Sequence, residues 1–334
     1  MSRAAALLLC LAAPAFGACV AVSGNLAPPS PTDDDDATDD DDATDDDDDV
    51  PPAFDCAEVP EAPLSRRVLE GPRGYHGLAF DDEGWIYGSD GNAMIRSTYE
   101  GEWEVFSPGL GRLEQIVRMP DGDLAVARTE DGGVHRVTPS GGSELIAADV
   151  NAYGLIWGPD DRLWALNNSI VTRIDTLTGV ATPLASWTVP YQPHSGDFNK
   201  AFTKLYVGLV SDGTMAEVHL DENFDQDGDP EPFAFDVGGG WHDGVAVDNC
   251  GWIYVPDFRS SRLYRIDPHG AEEVYYSWAS DTSQYGHGVV WGSGVGGWRA
   301  DALYLPMPYN GNTVQEIVTG TYSRAWKGEV LNAP

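Results

Sequence analysis

The chain has 334 residues, 42% of them hydrophobic, with 38 Gly, 23 Pro, 11 Trp and a formal net charge of −35. That length holds one large domain or two ordinary ones, and the richness in Gly, Pro and aromatics favours short strands and turns over long helices. So negative a field repels phosphate backbones, which argues against nucleic acid as a partner and leaves cationic ligands and divalent metals open.

In chain order, Arg3 precedes the apolar run "AAALLLCLAAPAF", which is too short to span a bilayer, so residues 1–18 are expected to form an export signal. The run ends in "FGAC", which resembles the site where bacterial lipoproteins are cut before a cysteine that then receives lipid. Cys19 would be that residue. Cleavage after Ala18 or Ala21 is the alternative and gives a secreted protein. Either route puts the folded part outside the cytoplasm, on an outer membrane or cell surface or free of it, with the lipid as its sole membrane contact. Residues 19–53 read as a tether: "NLAPPSPT" is proline-rich, and the Asp-Ala-Thr blocks at 33–49 carry 13 negative charges and almost no apolar surface to bury. Cys56 and Cys250 remain for the folded part. In an oxidising compartment they are expected to pair, free thiols being the alternative.

Residues 54–334 show two-residue apolar alternation and no sustained helical period. "YHGLAFDDEGWIY" at 75–87 and "WHDGVAVDNCGWIY" at 241–254 share one plan of Gly, strand, polar turn with a second Gly, and Trp-Ile-Tyr. Related starts recur as "HGLAF" at 76, "EQIVR" at 114, "YGLIW" at 153, "HSGDF" at 194, "DGVAV" at 243 and "HGVVW" at 287. Six units of about forty residues with four short strands each predict an all-β six-bladed propeller. "SRRVLEG" at 65–71 is expected to add the outer strand of the last blade and close the ring. A monomer is expected.

Registering the units puts His76, Glu114, Tyr153, His194, Asp243 and His287 at the heads of the innermost strands, around one mouth of the channel. Imidazoles and carboxylates gathered there need water, hydrogen bonds or a cation. His with Asp or Glu is a ligand set for a first-row metal, and hydrogen bonding to channel water is the plainer alternative. Tyr75, Trp241 and Tyr285 immediately precede strand heads, and His242 sits beside one. They either wall a ligand pocket or cap the propeller face.

The blade grammar, and "DGVAVDNCGWIYVPDF" above all, resembles the gluconolactonase and senescence-marker-protein family over about residues 65–331. That resemblance implies a divalent metal on the channel axis, with ligands at these strand heads. Asp243 matches the family's Asp, which is also its favoured general base. His76 stands in place of a Glu, His194 in place of an Asn, and Tyr153 where an Asn near the substrate is usual. Imidazole in place of oxygen moves preference from calcium toward zinc, manganese or iron. The implied activity is hydrolysis of a small ester or lactone, with Asp243 as ligand or base. The alternative is a non-catalytic propeller that binds a protein, glycan or small metabolite on its channel face.

Other signals fail their context. "NFDQDGDPE" at 223–231 resembles half a calcium loop, but Ala234 stands where the closing Glu belongs. "GSGVGG" at 292–297 precedes a strand rather than a helix, and no G-x-S-x-G elbow occurs.

Overall fold

The computed structural model describes residues 55–70, 74–167, 169–187, 191–278 and 286–324. The expected signal at 1–18, Cys19, the tether at 19–53 and Tyr285 lie outside the described residues. Strand β1 (Ser65–Leu69) comes first in the chain and last in the ring. Blade one holds β2 (Ala79–Phe80), β3 (Ile86–Ser89), β4 (Ala93–Ser97) and β5 (Trp103–Pro108). Blade two holds β6 (Leu113–Arg118), β7 (Leu124–Arg128), β8 (Val134–Val137) and β9 (Ser143–Ala147). Blade three is β10 (Gly154–Trp157), β11 (Leu163–Leu166), β12 (Ile170–Ile174) and β13 (Ala181–Ser186). Blade four is β14 (Gln192–Phe198), β15 (Lys204–Val210), β16 (Met215–His219) and β17 (Glu231–Ala234). Blade five is β18 (Ala246–Val247), β19 (Ile253–Asp257), β20 (Arg262–Ile266) and β21 (Glu272–Ser277). Blade six joins β22 (Val290–Trp291), β23 (Ala302–Met307) and β24 (Thr313–Val318) to β1. The closing pair runs antiparallel from Ser65↔Val318 to Leu69↔Val314, as "SRRVL" led one to expect. This is the six-bladed, four-stranded propeller that the repeat implied.

Each blade buries both faces against its neighbours, so the core is divided among the six seams between blades. Trp164 of blade three meets Phe198 of blade four edge-on at 5.0 Å, and Tyr254 of blade five meets Trp291 of blade six at 5.7 Å. Phe80 packs on Trp298 at 5.1 Å across the closing seam. Aromatic edge-to-face pairs of this kind add to area burial and fix the angle between sheets. No helix among the described residues is long and apolar enough to cross a membrane.

The repeated sequence now has a physical account. Asp81 Oδ1 accepts the N–H groups of Glu83 and Trp85, while Tyr87 donates its hydroxyl to Oδ2 at 2.7 Å. Asp248 repeats this with Cys250, Trp252 and Tyr254. The carboxylate thus ties the β2–β3 and β18–β19 turns, and the tyrosine three places past the turn glycine locks it. Those glycines, Gly84 and Gly251, have φ of 90° and 88°, which a side chain would strain. The glycine after four of the six strand heads has a different reason. A Cβ on Gly77 would stand 2.6 Å from Gln115 Cα, because inner strands converge toward the axis.

Cys56, in a short 3-10 turn (Cys56–Glu58), forms a disulfide with Cys250 in the β18–β19 turn. Next to it Asp248 is fully buried, and that burial pushes its carboxyl up to about 6. The folded state therefore holds a proton that the unfolded chain gives up near pH 4. Stability must fall as pH rises from about 4 to about 6, and the penalty, about 3 kcal/mol at most, persists above. Asp248→Asn keeps an oxygen for the two backbone donors. It is expected to flatten the stability profile over that window and raise stability at pH 7 by about 1–3 kcal/mol, read by denaturant melts at pH 4, 5, 6 and 7.

Candidate functional site

Antiparallel alternation places the heads of all inner strands on one face, together with the β3–β4, β7–β8, β15–β16, β19–β20 and β23–β24 turns. On that face the structure brings His76, Glu114, His194, Asp243 and His287 together, each less than a tenth exposed. His287 Nδ1 lies 3.0 Å from His76 Nε2 in hydrogen-bond alignment and 3.0 Å from Asp243 Oδ2 out of alignment. His194 Nδ1 stands 3.6 Å from Asp243 Oδ1, on the other side of the carboxylate. Glu114 Oε2 stands 3.3 Å from His76 Nδ1. The groups thus run in an arc, His76–His287–Asp243–His194, with Glu114 behind His76, and the arc curls round so that the His76 and His194 rings lie 6.3 Å apart.

Registration holds at β14: His194 stands four residues before Phe198, as the other heads stand before their core residues, and it sits in a bulge where pairing shifts between Pro193 and Ser195. Ser195 is buried and donates to the His242 carbonyl at 3.0 Å.

The electrostatics favour one protonation state. Burial drives His76 well below the ordinary imidazole range and drives His194 down as well, against the pull of Asp243. Burial alone would raise Asp243. The neighbouring His287, His194 and His76 outweigh it and hold the carboxyl below its usual range. At neutral pH the mouth therefore carries an ionised Asp243 beside neutral His76 and His194, the state in which these side chains can bind a metal. Asp243 Oδ1 and Oδ2, His194 Nδ1 and Glu114 Oε2 are buried, and none has a hydrogen-bond partner among the described residues.

Glu114 stands behind the arc rather than in it. Its Oε1 accepts from Thr129 Oγ1 and pairs with Arg112 Nη2, both at 3.0 Å, which aims Oε2 at the far nitrogen of His76. A carboxylate there favours the tautomer with hydrogen on Nδ1 and leaves Nε2 free, the support usual behind a ligating histidine. Glu114→Gln, with Arg112 holding its carbonyl oxygen, turns an N–H toward His76 and disfavours that tautomer. Cobalt affinity, followed by absorbance titration, is expected to fall about tenfold or more with little change in melting.

Tyr153 stacks on His194 at 4.7 Å, and Tyr75 lies 5.8 Å from His76 under the guanidinium of Arg112. Trp241 lines the same face next to Phe258. His242 does not. It is fully buried between blades four and five, where Nδ1 accepts from the Leu209 N–H and Nε2 donates to the Val237 carbonyl. The expectation of a pocket role for His242 is therefore corrected: Asp243 takes the axial direction and its neighbour must point the other way. Arg112, Thr129, Phe258, Arg259 and Tyr309 escaped the sequence reading, although "YVPDF" and "YLPMPY" mark equivalent turns facing the mouth.

Below the mouth the channel is lined by Gln115, Tyr153, Ser195, Asp243 and Val289 and narrows to about 20 Å³, enough for one water. Among the described residues the one set of three ligand atoms all within 4.8 Å of one another lies away from the mouth, on Glu217, His219 and Glu231; the mouth groups are more widely spaced. Lys204 Nζ already neutralises Glu217, at 3.0 and 2.8 Å from its two oxygens, so an ion there would have to displace an ammonium.

No protein-family model and no curated protein matches this chain at the sequence level. Solved structures match in fold. A gluconolactonase from Xanthomonas campestris superposes with a TM-score of 0.62 at 13% identity, over 77% of this chain and 91% of that one. The calcium-binding protein regucalcin from Agrobacterium tumefaciens gives 0.62 at 17% identity, over 80% and 98%. An auxiliary nutrient binding protein from Bacteroides thetaiotaomicron gives 0.60 at 14% identity, over 74% and 69%. The chain has the six-bladed propeller fold that the gluconolactonase and regucalcin structures share.

Proposed function

We propose that the channel mouth holds one divalent first-row metal and that the protein hydrolyses a small ester or lactone there, outside the cytoplasm. The observation that carries this reading is the buried Asp243 oxygens and His194 Nδ1, which lack hydrogen bonds among the described residues, beside imidazoles kept neutral by burial. A cation is what such a set lacks. His76 Nε2, His287 Nδ1, Asp243 and His194 are the donors, and three imidazoles with one carboxylate favour zinc, manganese or iron over calcium. No three of these donor atoms lie mutually within 4.8 Å, so one ion held by three of them draws the side chains inward. The regucalcin neighbour is described as calcium-binding and another neighbour as a gluconolactonase, which supports a metal and a lactone in this fold. The Cys56–Cys250 disulfide supports an oxidising compartment, consistent with export and a lipid on Cys19.

A bound zinc-class ion supplies Lewis acidity, polarising a carbonyl and making water acidic near pH 7. Asp243, ionised and with both oxygens unpaired, accepts the proton of the attacking water. Water oxygen then bonds the carbonyl carbon, the C–O bond of the ester breaks, and the alcohol leaves with a proton. Asp243 then gives that proton to the departing alkoxide, while neutral His194, held by its stack on Tyr153, stays beside it as a donor to the ion.

The test is hydrolysis of a panel of aryl esters and aldonolactones by purified protein in chelator, then with zinc, manganese, iron(II) or calcium restored. Turnover restored by a first-row ion supports the reading; turnover indifferent to every metal ends it. The open spacing of the donors favours a second reading, a propeller that binds a metabolite, glycan or protein without turning it over. That reading gains if metal binds and no substrate class reacts.

A further inference from the structure

Three rings form a wall over His287. The Phe258 ring lies 4.7 Å from that imidazole and the Tyr309 ring 5.5 Å from it, while Trp241 continues the wall 5.6 Å beyond Phe258. Phe258 follows β19 and Tyr309 follows β23, so adjacent blades build it. Asp257 sets its geometry by accepting the N–H groups of Trp241 at 2.7 Å and Ser260 at 2.8 Å. Tyr309 nonetheless remains 56% exposed. Arg259, next to Phe258, places its guanidinium 5.5 Å over the Trp241 ring and donates to the carbonyls of Gly239 and Ser211. Among the described residues it makes no ion pair, whereas Arg112 at the same mouth is tied to Glu114. His287 Nε2, buried beside the rings, has no hydrogen-bond partner among the described residues.

We propose that this wall is a subsite for a flat aromatic ring bearing a carboxylate. The ring packs on Tyr309 and Phe258, the acid pairs with Arg259, and His287 Nε2 meets the polar edge of the ligand. This rests on the reading of the mouth as a ligand site and names its substrate class, an ester or lactone whose aromatic ring also carries a free carboxylate. A planar guanidinium fork matches a carboxylate, and it can do so beside an aromatic face. Selectivity for an anion is a demanding claim for a chain of net charge −35, whose long-range field favours cations. A preference for the anion can come only from a local positive group.

Equilibrium dialysis of the purified protein against benzoate, its cationic isostere benzamidine, and acetate tests this, first in chelator and then with one equivalent of cobalt. Benzoate is expected to saturate one site, about tenfold more tightly than either control, with or without cobalt. Arg259→Gln and Tyr309→Ala, both at exposed positions, are each expected to weaken it about tenfold and to leave cobalt uptake unchanged. Benzamidine or acetate binding as tightly as benzoate overturns the proposal, as does wild-type affinity in both variants. Benzoate that binds only with cobalt and ignores Arg259→Gln also overturns it, since its carboxylate then sits on the metal. Protein that binds benzoate through Arg259 but takes up no cobalt ends the metal reading and leaves the subsite standing.

Discussion

Protein carrying Asp243→Ala is expected to bind zinc or cobalt at least about 100-fold more weakly than the parent, and His76→Ala to do the same, with both proteins folded. Asp243 is the only carboxylate in the arc of donors and touches imidazoles on both sides, so its loss removes the charge that holds a dication. The substitution removes a charge and leaves neutral His76 and His194 beside the gap, so the blades need not yield. The check is metal content after dialysis, with melting recorded in chelator and in excess zinc. Metal at 100 times its dissociation constant stabilises the parent by about 2.7 kcal/mol, and that gain should vanish in both variants. Stoichiometric metal retained by Asp243→Ala would place the ion elsewhere, with Glu217, His219 and Glu231 the next cluster to test. In chelator the sign of the pH effect is fixed. The Asp243 carboxyl is held below its ordinary range, so it contributes stability above about pH 4 that is lost as pH falls. The alanine variant should therefore lose less stability on acidification.

Cys250→Ser is expected to lower stability by about 5 kcal/mol, the chain-entropy value for a loop of 194 residues. For a domain of this size that corresponds to roughly 10–20 °C in the melting midpoint. The bond joins the segment before β1 to blade five, and β1 is the strand that closes blade six. Losing it therefore leaves the ring closed only by the β1–β24 ladder and the seams on either side. Melting of parent and variant with and without reductant checks this: the parent should fall to the level of the variant when reduced. Equal melting of the oxidised and reduced parent would show that the ladder alone secures the ring.

Both expectations differ in how early they could be formed. "WIY" after a Gly-containing turn and "SRRVL" before the first unit were enough to foresee six blades and their closure. A two-residue alternation, an Asp that ties a turn and a tyrosine that locks it act within a dozen residues of one another, so sequence spacing carries them. The pairing of Cys56 with Cys250 followed from elimination and compartment.

The site is another matter. That a polar residue heads each inner strand is written in the repeat, and five of the six do face the mouth with their polar groups while Tyr153 backs one of them. Only the folded chain decides that His242 turns inward to brace two blades. It also decides that Arg112 and Thr129 set Glu114 behind His76, and that Phe258, Arg259 and Tyr309 arrive from the turns of other strands. Periodicity determines which residues share a face of one sheet. Where side chains from six sheets meet depends on bulges, strand convergence and partners hundreds of residues away, none of which has a local signature.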